Sequence, residues 1–225
     1  MGISGSITKK HVSHIFKLLT QHDKQSKTFV DIGCGIGSVN TLAFLCYDYE
    51  NSIGFDTAGY NDEDNIVEVA KVRDLEERFN LMLRIVLKAL KNTLPLKQYE
   101  ELITNSFSRK LKIYYGTPIS DLILDRKLMI SMGIVNGNKG DKYVVDFYCF
   151  WYGMQIEHIW EALTNLVIPY GRQFVFSNIR SKTWTIEIER ELIKNNFSCI
   201  HTFQANMHGS KCSRKFYVYR RDCEY

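Results

Sequence analysis

The spacing of apolar and polar residues predicts alternating buried strands and amphipathic helices. Apolar runs at 28–32 and 51–56 predict strands, and the segment 39–47 between them predicts a helix. A first helix is predicted over 7–23, where apolar residues recur at helical spacing: Val12, Ile15, Phe16 and Leu19. Strands that alternate with helices are typical of an α/β fold built on a parallel sheet.

The rest of the chain continues this alternation. Further strands are predicted at 111–115, 143–149, 173–178, 197–203 and 215–220, and further helices at 122–134, 155–166 and 184–195. The last two strands are expected to form an antiparallel hairpin that closes the sheet. The pattern therefore predicts a Rossmann-like α/β fold, with a seven-strand sheet, helices on both faces and a single domain over 1–225.

An unusually long connection separates the second and third strands. About fifty residues lie between Asp56 and Leu111, and apolar periodicity predicts helices over 66–90 and 96–106. We expect a helical insertion at about 62–108. Insertions in surface connections often contact a substrate or partner, so this one is a candidate surface for a protein partner. The alternative is a solvated prop against the sheet.

The turn after the first strand carries the candidate chemistry. Asp31 is followed by Gly33, Gly35 and Gly37, and glycines let a backbone approach a ligand closely. The helix that follows directs free N–H groups at the same spot. A dinucleotide fingerprint, G-x-G-x-x-G, needs its third glycine at Ser38, and a pyrophosphate would be repelled by the carboxylate. The spacing favours a ligand with a cationic group.

This D-x-G-x-G-x-G pattern resembles motif I of the class I, seven-strand S-adenosylmethionine-dependent methyltransferases. In that family the turn lies beneath the methionine part of the cofactor, and an acid that ends the second strand binds the ribose. The resemblance implies S-adenosylmethionine as the cofactor. It implies these cofactor-binding residues: Asp31, Gly33, Cys34, Gly35, Gly37, Asp56 and Thr117. Thr117 stands where the family often has an acid for the adenine amino group, and Asp121 is an alternative for that role.

The exit of the fourth strand is expected to hold the methyl acceptor. Trp151 and Tyr152 are the predicted catalytic residues, because their rings can surround a lysine amine or stack on a base. The alternative is a hydrophobic plug at the strand end. A weaker likeness links the chain to the non-SET histone lysine methyltransferases, the disruptor-of-telomeric-silencing family. Gly54-Phe55-Asp56 is similar to that family, whereas Trp151-Tyr152-Gly153 replaces its polar N-N-F motif.

Composition and charge narrow the acceptor only slightly. The formal net charge of +4 permits an acidic partner such as nucleic acid or chromatin. Basic residues of the C-terminal third form a candidate phosphate-binding face: Arg172, Arg180, Lys182, Lys211, Arg214, Lys215, Arg220 and Arg221. We expect methyl transfer to a macromolecule, either a protein lysine or a nucleic acid. Alternatives are a catalytically silent S-adenosylmethionine-binding module that serves as a scaffold for a partner, and a small-molecule methyltransferase.

Cysteine usage and hydropathy bear on metal binding and location. No C-x-x-C pair occurs, and we predict no metal site; Cys46, Cys149 and Cys199 lie in apolar runs and are expected to be reduced core residues. No transmembrane segment and no secretory signal are found, which predicts an intracellular protein of the cytoplasm or nucleus. Residues 1–6 match the N-myristoylation pattern at Gly2, a short motif that also matches by chance.

Overall fold

The computed structural model describes residues 9–21, 26–47, 49–58, 60–61, 66–107, 110–135, 145–150, 156–178, 182–206 and 213–222. Its strands are β1 (Thr28–Ile32), β2 (Asn51–Asp56), β3 (Tyr60–Asn61), β4 (Ile66–Val67), β5 (Lys110–Tyr115), β6 (Val145–Cys149), β7 (Gly171–Ser177), β8 (Phe197–Asn206) and β9 (Ser213–Arg221). A seven-stranded sheet has the order β5-β2-β1-β6-β7-β9-β8, and β3 and β4 form a separate ribbon. The five neighbouring strands β5, β2, β1, β6 and β7 run parallel to one another. Strand β9 is antiparallel to both of its neighbours, β7 and β8. The predicted sheet and its closing hairpin are confirmed.

Helices connect these strands on both sides of the sheet. They are α1 (Lys9–Gln21), α2 (Ser38–Cys46), α3 (Val69–Thr93), α4 (Leu96–Phe107), α5 (Ile119–Leu124), α6 (Arg126–Ser131), α7 (Ile156–Ala162), α8 (Ile168–Tyr170) and α9 (Lys182–Lys194). A π-helical turn, Leu163–Val167, joins α7 to α8. The single helix predicted over 122–134 is wrong, because the Asp125 side chain accepts the Leu128 N–H and starts a new helix.

Strand β1 divides the core into two clusters. Val30 and Ile32 face one side, where they pack with residues of α5, α7 and α9. Phe29 faces the other side and packs against α1 and α2, and the apolar stripe predicted for α1 is fully buried there. Side chains alternate across a strand, so a wholly buried β1 needs helices on both faces. The arrangement confirms that part of the prediction.

The helical insertion between β2 and β5 is present but packs loosely. Ile66 lies in β4 opposite Asn61, so the predicted start of the long helix is wrong and α3 begins at Val69. None of the residues of α3 is buried; Val69 is 71% exposed and Ile85 is 59% exposed. The apolar periodicity therefore predicted the helix correctly, and its apolar side chains are left partly or fully exposed. Whether this segment contacts a partner, and whether 1–225 is one domain, stay predictions.

Two basic residues predicted to bind phosphate have internal partners instead. Arg221 donates hydrogen bonds to the backbone oxygens of Ile168, Gly171 and Asn195. Arg220 donates from Nε and Nη2 to Oε1 of Gln173, at 3.1 and 2.8 Å. These guanidinium groups stabilise the β7–β9 region, so the predicted basic face loses two of its members. Among the cysteines expected in the core, Cys149 is buried, whereas Cys46 and Cys199 are exposed.

Candidate cofactor site

The register of β1 and β2 brings the glycine turn onto the end of β2. Ile32 lies opposite Phe55, and the N–H groups of Gly33 and Cys34 both donate to the Phe55 oxygen, at 2.8 and 3.0 Å. The chain then folds back through Gly33, Gly35 and Gly37, whose φ angles are 76°, 55° and 71°. These left-handed conformations strain any residue with a Cβ, which explains glycine at all three positions.

Asp56 is held against this turn by backbone hydrogen bonds. Its Oδ2 accepts the Gly35 N–H at 2.7 Å, and its Oδ1 accepts the Ala58 N–H at 2.8 Å. A carboxylate has about four acceptor positions, so each oxygen can accept a further hydrogen bond. The structure thus brings Asp56 together with the turn, in an orientation suited to binding ligand hydroxyls.

Asp31 is a buried acid beneath the same turn. It is 2% exposed, and its Oδ1 has no hydrogen-bond partner among the residues that the structure describes. Burial raises the pKa of its carboxyl group well above the ordinary value, and the charge of Asp56 raises it further. An unpaired buried polar atom is costly, at about 1–3 kcal/mol. A cationic donor would both pair this oxygen and favour its ionised form.

Gly54 and Ile113 complete the floor of the turn, and sequence reasoning did not assign either of them to the site. A Cβ at Gly54 would lie 2.6 Å from Ile113 Cδ1 and 2.7 Å from both Asn40 Oδ1 and Cys34 Sγ. A Cβ at Gly37 would lie 2.8 Å from the same Ile113 atom. A Cβ at position 54 would therefore force the side chains of Ile113, Asn40 and Cys34 to shift. The available signal was a glycine inside a strand, two residues before Asp56.

Cys34 contributes to the turn through its backbone. Its side chain is buried, and burial raises the pKa of the thiol well above its usual value, with further increases from the charges of Asp31 and Asp56. The thiol therefore stays protonated and is a poor nucleophile. The predicted cofactor contact of Cys34 is not tested by this geometry.

The carboxyl end of β5 lies at the same edge of the sheet. Tyr115 is aligned with Asp56, and the Gly116 N–H donates to the Ala58 oxygen at 3.2 Å. The hydroxyl of Thr117 donates to the Tyr115 oxygen at 3.4 Å, so this predicted residue is near the site but half-buried. Asp121 lies exposed in the first turn of α5. Sequence reasoning missed Tyr115, whose phenol is buried beside Asp56.

The predicted catalytic residues fall outside the described residues. Strand β6 ends at Cys149, which lies opposite Ile32 and donates its thiol hydrogen to the Ile32 oxygen at 3.1 Å. Phe150 follows and stacks on Phe216, with ring centroids 5.8 Å apart. The roles of Trp151 and Tyr152 stay predictions. Acylation at Gly2 also falls outside the described residues.

Neither a metal cluster nor a membrane-spanning helix is found in the described part of the chain. No group of three or more His, Cys, Asp or Glu side chains there is arranged to hold a metal ion. No helix within those residues combines the length and the apolar character needed to cross a bilayer.

Comparison with known proteins gives a fold-level match. No protein-family model and no curated protein matches the chain. Two crystal structures of the methyltransferase domain of bacterial CtHen1 are similar to it. The CN form has a TM-score of 0.53 and 12% identity, covering 94% of this chain and 98% of that one. The C form has a TM-score of 0.52 and 12% identity, with coverages of 95% and 97%. Together with the strand order, these matches show that the chain has the class I methyltransferase fold.

Proposed function

We propose that this protein is an S-adenosylmethionine-dependent methyltransferase. The observation that carries the proposal is the buried Oδ1 of Asp31, which has no hydrogen-bond partner among the described residues and lies beneath a glycine turn in a class I methyltransferase fold. The ammonium group of the cofactor would pair with this oxygen, and the ribose hydroxyls would donate to Asp56. The backbone of Gly33, Gly35 and Gly37 would lie under the methionine part. Once bound, the cofactor supplies an electrophilic methyl group on its sulfonium.

The electrostatics of the turn support this cofactor over a dinucleotide. Asp56 is close enough to Asp31 for its charge to raise the pKa of the Asp31 carboxyl. A pyrophosphate at this edge would add negative charge to an already acidic site. The cationic ammonium and sulfonium groups of S-adenosylmethionine would instead offset that charge. The residues present therefore fit this cofactor.

The proposed acceptor is a macromolecule, either a protein lysine or a nucleic acid. This part rests on the net charge of +4 and on the exposed apolar residues of α3, including Leu81 and Ile85. Trp151 and Tyr152 would orient the acceptor near the methyl group, so that catalysis comes mainly from proximity and alignment.

A second candidate is a catalytically silent S-adenosylmethionine-binding module that supports a partner. It is favoured by Trp151-Tyr152-Gly153, which offers none of the polar acceptor motifs found after the fourth strand in base N-methyltransferases. A small-molecule methyltransferase is a third candidate.

Calorimetry with S-adenosylhomocysteine and with NAD tests the cofactor assignment. We expect binding of the former only, and a tenfold or greater loss of affinity in Asp56→Ala, because a hydrogen bond to a charged group contributes about 1.5–3 kcal/mol. Binding of NAD alone would contradict the proposal. Radiolabelled methyl transfer to separate protein and nucleic-acid fractions then distinguishes an enzyme from a silent module.

A further inference from the structure

Tyr115 lies at the candidate site without a role in the function proposed above. It is the last residue of β5 and is aligned with Asp56, the last residue of β2. Aligned residues of neighbouring parallel strands project from the same face of the sheet, and the strands lie about 4.8 Å apart. Two residues earlier, Ile113 approaches Gly54 from this face, beside Cys34 of the glycine turn. Tyr115 and Asp56 therefore both face the turn.

The phenol of Tyr115 is buried at the carboxyl end of β5. The residue is 7% exposed, and its Oη has no partner within the described residues. Burial raises the pKa of this phenol, and the neighbouring side chains of Cys34, Asp56 and Glu76 raise it further. The hydroxyl consequently stays protonated and is available as a donor. A buried tyrosine hydroxyl is normally paired, so this one calls for a missing partner.

Asp56 and Tyr115 have complementary hydrogen-bonding properties. Ionised Asp56 can only accept, and each of its oxygens already accepts one backbone N–H. A ligand hydroxyl bound by Asp56 must donate its hydrogen, which leaves the lone pairs of that hydroxyl to be satisfied. The protonated phenol of Tyr115, on the residue aligned with Asp56, can supply a donor to them. A site that supplies both an acceptor and a donor to one hydroxyl recognises it and rejects a hydrogen atom at the same position.

We infer that Tyr115 and Asp56 together bind one ribose hydroxyl of the S-adenosyl ligand, with Asp56 accepting from it and Tyr115 donating to it. The inference rests on the proposed function and adds a specificity-determining residue to it. Tyr115 would make the site selective for ribose over the corresponding deoxyribose. A deoxy ligand would offer the phenol no acceptor at that position.

The test compares Tyr115→Phe with Tyr114→Phe by calorimetry. Tyr114 is a matched control, because it neighbours Tyr115 on β5 but stacks on Phe55 in the opposite core, with centroids 5.4 Å apart. The ligands are S-adenosylhomocysteine and its 2′-deoxy and 3′-deoxy analogues. We expect Tyr115→Phe to lower the affinity for S-adenosylhomocysteine about 5- to 20-fold, and Tyr114→Phe to change this affinity less than about twofold. One deoxy analogue should bind wild type and Tyr115→Phe equally well.

Thermal melting without ligand supplies an independent readout. Tyr115→Phe removes a hydroxyl that has no partner among the described residues, so its melting temperature should equal or exceed that of wild type. A clearly lower melting temperature would show that the phenol has a partner within the protein and would overturn the inference. Unchanged S-adenosylhomocysteine affinity in Tyr115→Phe would also overturn it, while a loss in Asp56→Ala would leave the proposed function standing. Absence of binding to the wild-type protein would instead refute the proposed function itself.

Discussion

Replacing Asp146 with asparagine should change how the stability of this protein depends on pH. Asp146 is buried near the amino end of β6, away from the glycine turn. Its Oδ1 accepts from Ser26 Oγ at 2.7 Å and from Gln173 Nε2 at 3.1 Å, and its Oδ2 accepts from Tyr49 Oη at 2.8 Å. Gln173 Nε2 also donates to the Leu19 oxygen at 3.0 Å, which ties α1 to this network.

The size of the effect follows from the pKa of Asp146. Burial raises this pKa from 3.8 to about 6, although the hydrogen bonds and the charge of Arg220 act in the opposite direction. The folded protein therefore binds this proton more tightly than the unfolded chain. The resulting stabilisation is fully present below about pH 4 and is lost as the pH rises through about 6. A shift of about two pKa units corresponds to about 3 kcal/mol in the free energy of unfolding.

Asparagine preserves most of the network but cannot ionise. Its Oδ1 can accept from Ser26 and Gln173, and its Nδ2 can donate to Tyr49 Oη. Urea unfolding of wild type and Asp146→Asn at several pH values between 4 and 7 measures the difference, in which the other titrating groups cancel. The variant should gain about 2.4 kcal/mol relative to wild type between pH 4 and pH 7, because part of the full effect lies below pH 4. If the free energies of unfolding of wild type and Asp146→Asn changed in parallel with pH, the reasoning would be refuted. Ser26→Ala removes a hydrogen-bond donor to the ionised Asp146. In this variant the loss of stability that accompanies ionisation of Asp146 should occur at a higher pH than in wild type.

Three further predictions concern the turn and the acceptor. Binding of S-adenosylhomocysteine should release a proton from Asp31, because the ammonium group of the ligand lowers the pKa of the Asp31 carboxyl, which burial has raised. Calorimetry in two buffers with different ionisation enthalpies should detect the released proton, and Asp31→Asn should abolish the release. Gly54→Ala should destabilise the fold by about 1–3 kcal/mol through overpacking against Ile113, and adding Ile113→Ala should recover part of the loss; additive urea-unfolding effects would contradict this. Trp151→Ala should lower methyl transfer with little change in S-adenosylhomocysteine affinity; a folded variant with wild-type transfer rates would exclude Trp151 from acceptor binding.

The central part of the fold could be predicted because its signals are local. The glycine spacing after β1 fixes left-handed turns that few other sequences adopt, and β1 and β2 are apolar runs too short for helices. The stripe on α1 has a clear helical period and is buried as predicted. In α3 the same kind of period predicts a helix correctly, yet no residue of that helix is buried. Periodicity identifies a helix face but not whether the fold supplies a surface to cover it.

The basic C-terminal segment shows a different limit of sequence reasoning. Arg221 was predicted to bind phosphate. Its guanidinium instead donates hydrogen bonds to the carbonyl of Ile168 in α8 and to that of Asn195 just after α9. The last carbonyls of a helix lack intrahelical donors, so a nearby arginine stabilises both ends. This role depends on β9 lying beside β7, which brings distant helix ends together. Counting charges along the sequence cannot reveal it.

The two ends of the sheet differ in whether their buried polar atoms have hydrogen-bond partners among the described residues. Asp146 is supplied with three side-chain donors, so this fold can satisfy a buried acid when no ligand is involved. Around the glycine turn, Asp31 Oδ1, Asn40 Oδ1 and Tyr115 Oη have no partner among the described residues. Only the acid at position 31 was predicted, since the placement of Tyr115 depends on the register of β5 with β2. Buried polar atoms are normally paired, and unpaired ones that gather at one place indicate where a ligand completes the structure. Their position beneath the turn therefore supports a polar, hydroxyl-bearing and cationic ligand there.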